Sequence, residues 1–140
     1  MATVSIPSTF ASFTETWSPR LVAAVNDQHV KIAKMDGEFI FHAHPGSDEL
    51  FYLLSGELTL EIETGAQGDG ETTPKAAVEA VVMRVGDVYV VPRGVRHRPV
   101  AKNAEIMMIE RNDTVNTGDA EDKRRQRDPL DARGAVKTLG

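Results

Sequence analysis

The chain has 140 residues, 41% of them hydrophobic and 26% charged, which is enough for one domain with its own core. It contains no cysteine, so disulfides, thiol catalysis and thiolate metal sites are excluded. A net charge of −5 argues against general nucleic-acid binding, and no apolar run approaches the roughly 18 residues of a membrane helix. The start, Met1-Ala-Thr-Val-Ser, lacks the basic and apolar regions of a signal peptide, so a cytoplasmic protein without a membrane partner is expected.

Residues 1–20 are rich in Ser, Thr and Pro but carry Phe10, Phe13 and Trp17. So many rings predict an arm laid across the barrel or a partner subunit and pinned there, rather than a free tail. Leu21–Val25 and Val30–Met35 are strand-like, separated by a turn at Asn26-Asp27-Gln28. In the second strand Val30, Ile32 and Lys34 share one face, and His29, Lys31, Ala33 and Met35 the other. His29 is read as an edge or surface histidine. Asp36-Gly37 predicts a tight hairpin turn into the next strand.

Leu50–Leu54 is almost wholly apolar, so both of its faces need cover. With Glu49 pointing inward, Phe51 and Leu53 follow it, while Leu50, Tyr52 and Leu54 face a second sheet or subunit. Leu58, Leu60 and Ile62 then alternate with Glu57, Thr59, Glu61 and Glu63, a half-buried strand with one wet acidic face. Residues 64–76 are dense in Gly and Thr and predict a long hairpin loop. Strands follow over 77–85, 87–91 and 104–111, the last with Met107 and Met108 as packing residues. Arg96 and Arg98 are expected on the surface. No helix pattern precedes the last part of the chain. Beyond Asn112 the composition turns polar, and the expected organisation is an arm over 1–20, a single barrel over 21–115 and a polar, partly flexible tail over 116–140.

The chemistry lies in four residues. In an extended segment alternate side chains share a face, so His42 and His44 point the same way, with Cα atoms roughly 6.5–7 Å apart. Pro45-Gly46-Ser47-Asp48 reads as a turn that brings Glu49 beside the two imidazoles. Downstream, Gly86 to Val91, the turn Pro92-Arg93-Gly94 and the strand after it deliver His97. Three of the chain's four histidines and one carboxylate therefore fall where they can meet.

At these positions the sequence resembles the cupins. Gly37, His42, His44, Glu49 and Gly56 match their first motif, and Gly86, Pro92, Gly94 and His97 match their second. Two departures stand out: the spacing from Gly37 to His42 is one residue short, and Ala101 replaces the usual closing asparagine. The resemblance runs from about Val30 to Arg111. It implies an all-β, antiparallel double-stranded β-helix or jelly-roll barrel with His42, His44, Glu49 and His97 converging inside it.

Three imidazoles and one carboxylate suit a single divalent transition metal ion, Fe, Mn, Ni, Co, Cu or Zn, and leave positions open for a ligand. An apolar lining of Ile40, Phe51 and Leu53, with Glu110 nearby, suits a small organic molecule. Three readings follow. The resemblance favours a metal-dependent dioxygenase-type enzyme. A metal-dependent sugar or hydroxy-acid isomerase, epimerase or lyase would need a general base, for which Glu110 and Asp48 are candidates. A non-enzymatic module binding a small molecule or metal is the third. Small cupins similar to this chain are often homodimers, and a homodimer is expected here.

Overall fold

The computed structural model describes residues 3–65 and 77–134. Most of the loop expected over 64–76 therefore lies outside the described residues. The strands are β1 (Arg20–Val25), β2 (Gln28–Glu38), β3 (Glu49–Thr64), β4 (Ala77–Met83), β5 (Val88–Val91), β6 (His97–Arg111) and β7 (Leu130–Asp131), preceded by a short helix, α1 (Ile6–Ala11). The sheet order is β4-β3-β6-β2-β1-β7, with β5 also paired to β3. All pairs are antiparallel except β1 with β7. This is the all-β jelly roll expected. Among the described residues no helix is long and apolar enough to cross a membrane.

β3 and β6 are the spine, paired from Leu50↔Ile109 to Ile62↔His97. The expected strands over 50–54 and 58–62 are one long strand, broken in register around Ser55 and Gly56. Gly56 is required there. Its φ is +81°, and a Cβ would come within 2.1 Å of the Asn103 carbonyl oxygen. A second expectation is corrected at Asp36-Gly37, where no hairpin forms. β2 stays paired to β6 through Gly37↔Ala101 and Glu38↔Val100, and Gly37 marks a bulge. Asp36 has a different task from the turn expected of it: its carboxylate accepts from Asn103 N at 3.0 Å, which ties the bulge to β6.

Alternation along β2 divides the core in two. Ala33 and Met35 join Phe51, Leu53, Leu58, Leu60, Ile106 and Met108 inside the barrel. Ile32 and Val30 face outward, where Phe10, Phe13 and Val22 cover them. The arm is thus pinned by its rings, as expected, but it contains a helix that the sequence did not suggest. Ser5 caps α1, its hydroxyl accepting from Ser8 N, and Pro7 sits in the first turn, where a missing N–H costs nothing. The same outer cluster covers Leu54, while Leu50 and Tyr52 remain half-buried beside exposed Val90 and Val88 of β5.

The segment after Asn112 also departs from its polar composition. Thr117 is 1% exposed, Ala132 is buried in the outer core, and β7 adds a parallel edge to β1. What holds it is main-chain bonding, such as Leu130 N to Pro19 O at 3.0 Å and Ala132 N to Leu21 O at 2.8 Å. Bonds of that kind leave no apolar pattern to read. Arg96 and Arg98 do lie at the surface, where they pair with Glu63 and Glu61 of the wet face.

Candidate metal centre

The ligand-bearing atoms of His42, His44, Glu49 and His97 all lie within 4.8 Å of one another, and all four residues are buried. Backbone geometry puts them there. His42 is not on a regular strand; it forms an isolated bridge with His97, N to O at 3.0 Å and 2.9 Å in the two directions. Gly94 N, in the turn before β6, donates to His44 O at 2.9 Å. Glu49 opens β3 after the Pro45–Asp48 turn, which Ser47 fastens to β6 by accepting from Arg111 N.

The polar C-terminal segment completes the clasp. Asp119 accepts from Ala43 N at 2.8 Å and returns a bond from its own N to Ala43 O at 2.9 Å. Gly118, with φ +55°, lies so close that a Cβ would sit 2.3 Å from Ala43 O and 3.0 Å from the His42 ring. Sequence reasoning assigned none of this to the site, since nothing in Thr117-Gly-Asp119 resembles a ligand.

The imidazoles are oriented for metal binding. The Nδ1 of His42 lies 2.9 Å from Ile40 O and that of His97 lies 2.9 Å from Val95 O. A carbonyl can only accept, so each Nδ1 carries its hydrogen and each Nε2 presents a lone pair to the centre. Burial, and then the neighbouring His97, push the His42 pKa down to about 4, so the ring is neutral and ligand-competent at pH 7. His44 Nε2 lies 3.4 Å from Glu49 Oε1, off the line of a hydrogen bond, and is left buried without a partner. A buried polar atom with no partner, aimed at two imidazoles and a carboxylate, is what a bound cation would satisfy. The donor set therefore fits a divalent ion.

Glu49 is ionised. Its burial works to raise the carboxyl, but its neighbours Glu110, His44 and His97 outweigh that and hold it well below the usual range. Beside it stands Glu110, raised well above that range by burial and then by the Glu49 charge. Its Oε1 accepts from Lys31 Nζ at 3.0 Å, both side chains being 3% exposed, and its Oε2 is buried with no donor facing it. Of the two carboxyls, Glu110 is the one that takes up a proton more readily. Lys31 was missed as a site residue. The one available signal was a lysine on the same strand face as Ala33 and Met35.

A narrow cavity reaches the centre, with His42 and Glu49 in its wall. Phe51 and Glu110 line it as expected, while Leu53 lies in the core and Ile40 contributes only its carbonyl to His42. Phe39 lines it instead, because the chain leaves the β2 ladder after Glu38 and strict alternation no longer counts back from His42. Trp17 of the arm stacks on Phe39 with ring centroids 4.9 Å apart. Asp48, the other candidate base, faces away, capping Arg93 N at the surface.

The Cupin domain family model matches residues 28–110. This chain is a cupin. A cupin-2 domain protein from Shewanella frigidimarina NCIMB 400 is 34% identical, with a TM-score of 0.62 over 78% of this cupin and 94% of that chain. The uncharacterized protein YdbB of Bacillus subtilis (strain 168) is 36% identical over 77 residues, which span 55% of this chain and 57% of that relative's length. Hydroquinone 1,2-dioxygenases share the fold at lower identity. That of Sphingomonas sp. TTNP3, solved with 4-hydroxybenzoate bound, is 18% identical with a TM-score of 0.64, covering 80% of this chain and 32% of that one. PnpCD, solved with Fe3+, is 21% identical with a TM-score of 0.64, covering 81% and 33%.

Proposed function

We propose that this cupin is a metal-dependent enzyme that oxidises a small organic substrate with dioxygen. The observation that carries the reading is the convergence of four buried donors, two of which, His42 and Glu49, line a narrow cavity walled by Phe39, Phe51, Met35 and Met108. His42, His44, Glu49 and His97 would hold the ion, leaving room on the cavity side for two small ligands. The chemistry supplied by a bound divalent ion of this class is polarisation of a substrate oxygen and, for a redox-active one, electron exchange with dioxygen. The rest is the work of the chain. The rings and methionines exclude water and seat an apolar body; Glu110 holds a proton on the buried side, with Lys31 fixing its Oε1.

That same carboxyl favours a second reading, isomerisation or lyase chemistry, since it stands where a proton would be taken from or returned to a substrate. Similarity to hydroquinone 1,2-dioxygenases shows the fold alone, so the decision belongs to experiment. Protein purified without chelators is analysed for metals beside a His42→Ala/His97→Ala variant, then tested for oxygen uptake with phenolic, enediol and keto-acid substrates. We expect close to one ion per wild-type chain, little in the variant, and uptake with at least one substrate class. A loaded protein that consumes no oxygen with any class removes the oxidation reading; a chain that takes up no metal on reconstitution removes both.

We also propose that a second copy of the chain covers the apolar face formed by Leu50 and Tyr52 of β3 with Val88 and Val90 of β5.

A further inference from the structure

Part of the cavity wall lies outside the stretch that matches the family. Trp17 and Pro19 come from the N-terminal arm, and Thr114, Asn116, Arg127 and Pro129 from the C-terminal segment, beyond residues 28–110. One of these residues is charged. Arg127 borders both the inner cavity and an adjoining mouth that shares Trp17 and Phe39 with it and is lined also by Arg124, Arg125 and Glu38. Its guanidinium is held by backbone: Nη1 donates to the carbonyls of Arg124 and Gln126, each at 2.8 Å. Its own N donates to Asn116 Oδ1 at 2.9 Å, and Asn116 Nδ2 donates to Arg125 O at 2.8 Å. Among the described residues no carboxylate pairs with Arg127, whereas Arg125 is paired to Asp122 at 2.6 Å. An arginine pinned by carbonyls keeps its charge and its remaining N–H groups for something else.

The arm contributes an unusual residue of its own. Trp17 adopts φ 58°, a left-handed conformation that a bulky side chain rarely takes. Two bonds hold it there: its N donates to Lys34 O at 2.8 Å and its indole N–H to Asp36 O at 3.0 Å. The outcome is a flat indole stacked on Phe39 at the mouth, in a wall shared with Arg127.

We infer that the cavity selects a small planar carboxylate, an aromatic or conjugated acid whose carboxylate is received by Arg127 and whose flat body lies against Trp17 and Phe39. The inference rests on the substrate-cavity reading above and adds the substrate class to it. In the bound state the carboxylate stays at the mouth, and the opposite end of the molecule enters toward the four donors.

Trp17 is the chain's single tryptophan and sits at the proposed contact, so its fluorescence reports binding directly. Benzoate and its neutral counterpart benzamide are titrated into metal-loaded and metal-free protein, and into Arg127→Gln and Arg124→Gln variants whose thermal unfolding matches wild type. Benzoate should bind at least about tenfold more tightly than benzamide, the scale expected of charge-assisted hydrogen bonds. Arg127→Gln should abolish that preference and leave benzamide unchanged, while Arg124→Gln keeps it. A preference that survives Arg127→Gln overturns the assignment; if it also disappears with the metal, the carboxylate goes to the ion. Equal binding of the two probes, or binding of neither, also overturns it. Because the Arg127-dependent preference is expected in metal-free protein too, its failure is distinguishable from failure of the metal reading.

Discussion

Lys31→Met probes the least ordinary feature of the centre, a lysine buried against Glu110, whose carboxyl stands beside that of Glu49. Lys31 Nζ and Glu110 Oε1 are 3.0 Å apart, with both side chains 3% exposed. Removing one member of such a pair ordinarily costs about 3–5 kcal/mol, because the survivor is left charged and without solvent. Glu110 has an exit. Burial and the Glu49 charge already hold its carboxyl well above the usual range, against the pull of Lys31. Without the lysine it keeps its proton, and the loss shrinks to a buried hydrogen bond, about 1–2 kcal/mol. For a chain of this size that is roughly 3–8 °C in Tm. Methionine retains the apolar stem, which limits any cavity contribution. The assay is a double-mutant cycle of Lys31→Met, Glu110→Gln and their combination, unfolded by urea in metal-free protein at pH 7. Adding Glu110→Gln to Lys31→Met should change stability by less than about 0.5 kcal/mol, since glutamine only replaces a neutral acid. A recovery above about 2 kcal/mol would show that Glu110 had been stranded as an anion, and the account of the two carboxyls would be wrong.

Three further outcomes are expected. His42 is pushed down to about 4 from its ordinary 6.5, so between those values the unfolded chain binds the extra proton. The stability advantage of metal-free wild type over His42→Asn should therefore shrink by up to about 3 kcal/mol as pH falls from 6.5 to 4 in denaturant titrations; an advantage constant over that range would contradict it. Gly118→Ala drives a methyl group into Ala43 O and the His42 ring, so it should cost about 2–3 kcal/mol and weaken metal uptake. Gly134→Ala, with nothing near its Cβ, should do neither, and equal effects of the two would count against the clasp. Sedimentation should show a species twice the 15.3 kDa chain, reduced to monomer by Val90→Asp; a wild-type monomer at high concentration removes the proposed dimer.

The local sequence determined a good deal about this protein. Alternation in Val30–Met35 and Leu58–Ile62 fixed which side chains enter the barrel, because a pleated strand has no other choice. His42, His44, Glu49 and His97 were legible from their spacing and from turns at Pro45-Gly46 and Pro92-Arg93-Gly94 whose residue types allow little else. The tertiary structure decided the rest wherever long-range bonding overrides local signals. Asp36-Gly37 reads as a hairpin, yet becomes a bulge because β2 still has β6 to pair with beyond it. Phe39 displaces Ile40 from the cavity because alternation lapses once the ladder ends. Lys31 and Glu110 are 79 residues apart and meet only across the β2–β6 pairing. Gly118 and Asp119 brace the His42–Ala43 backbone through main-chain atoms, and Arg127 reaches the mouth from a segment whose composition suggested a free tail. Donors at fixed spacing around short turns can be read from the chain; the groups that clasp, charge and bound them come from distant segments through backbone bonds, which carry no residue signature.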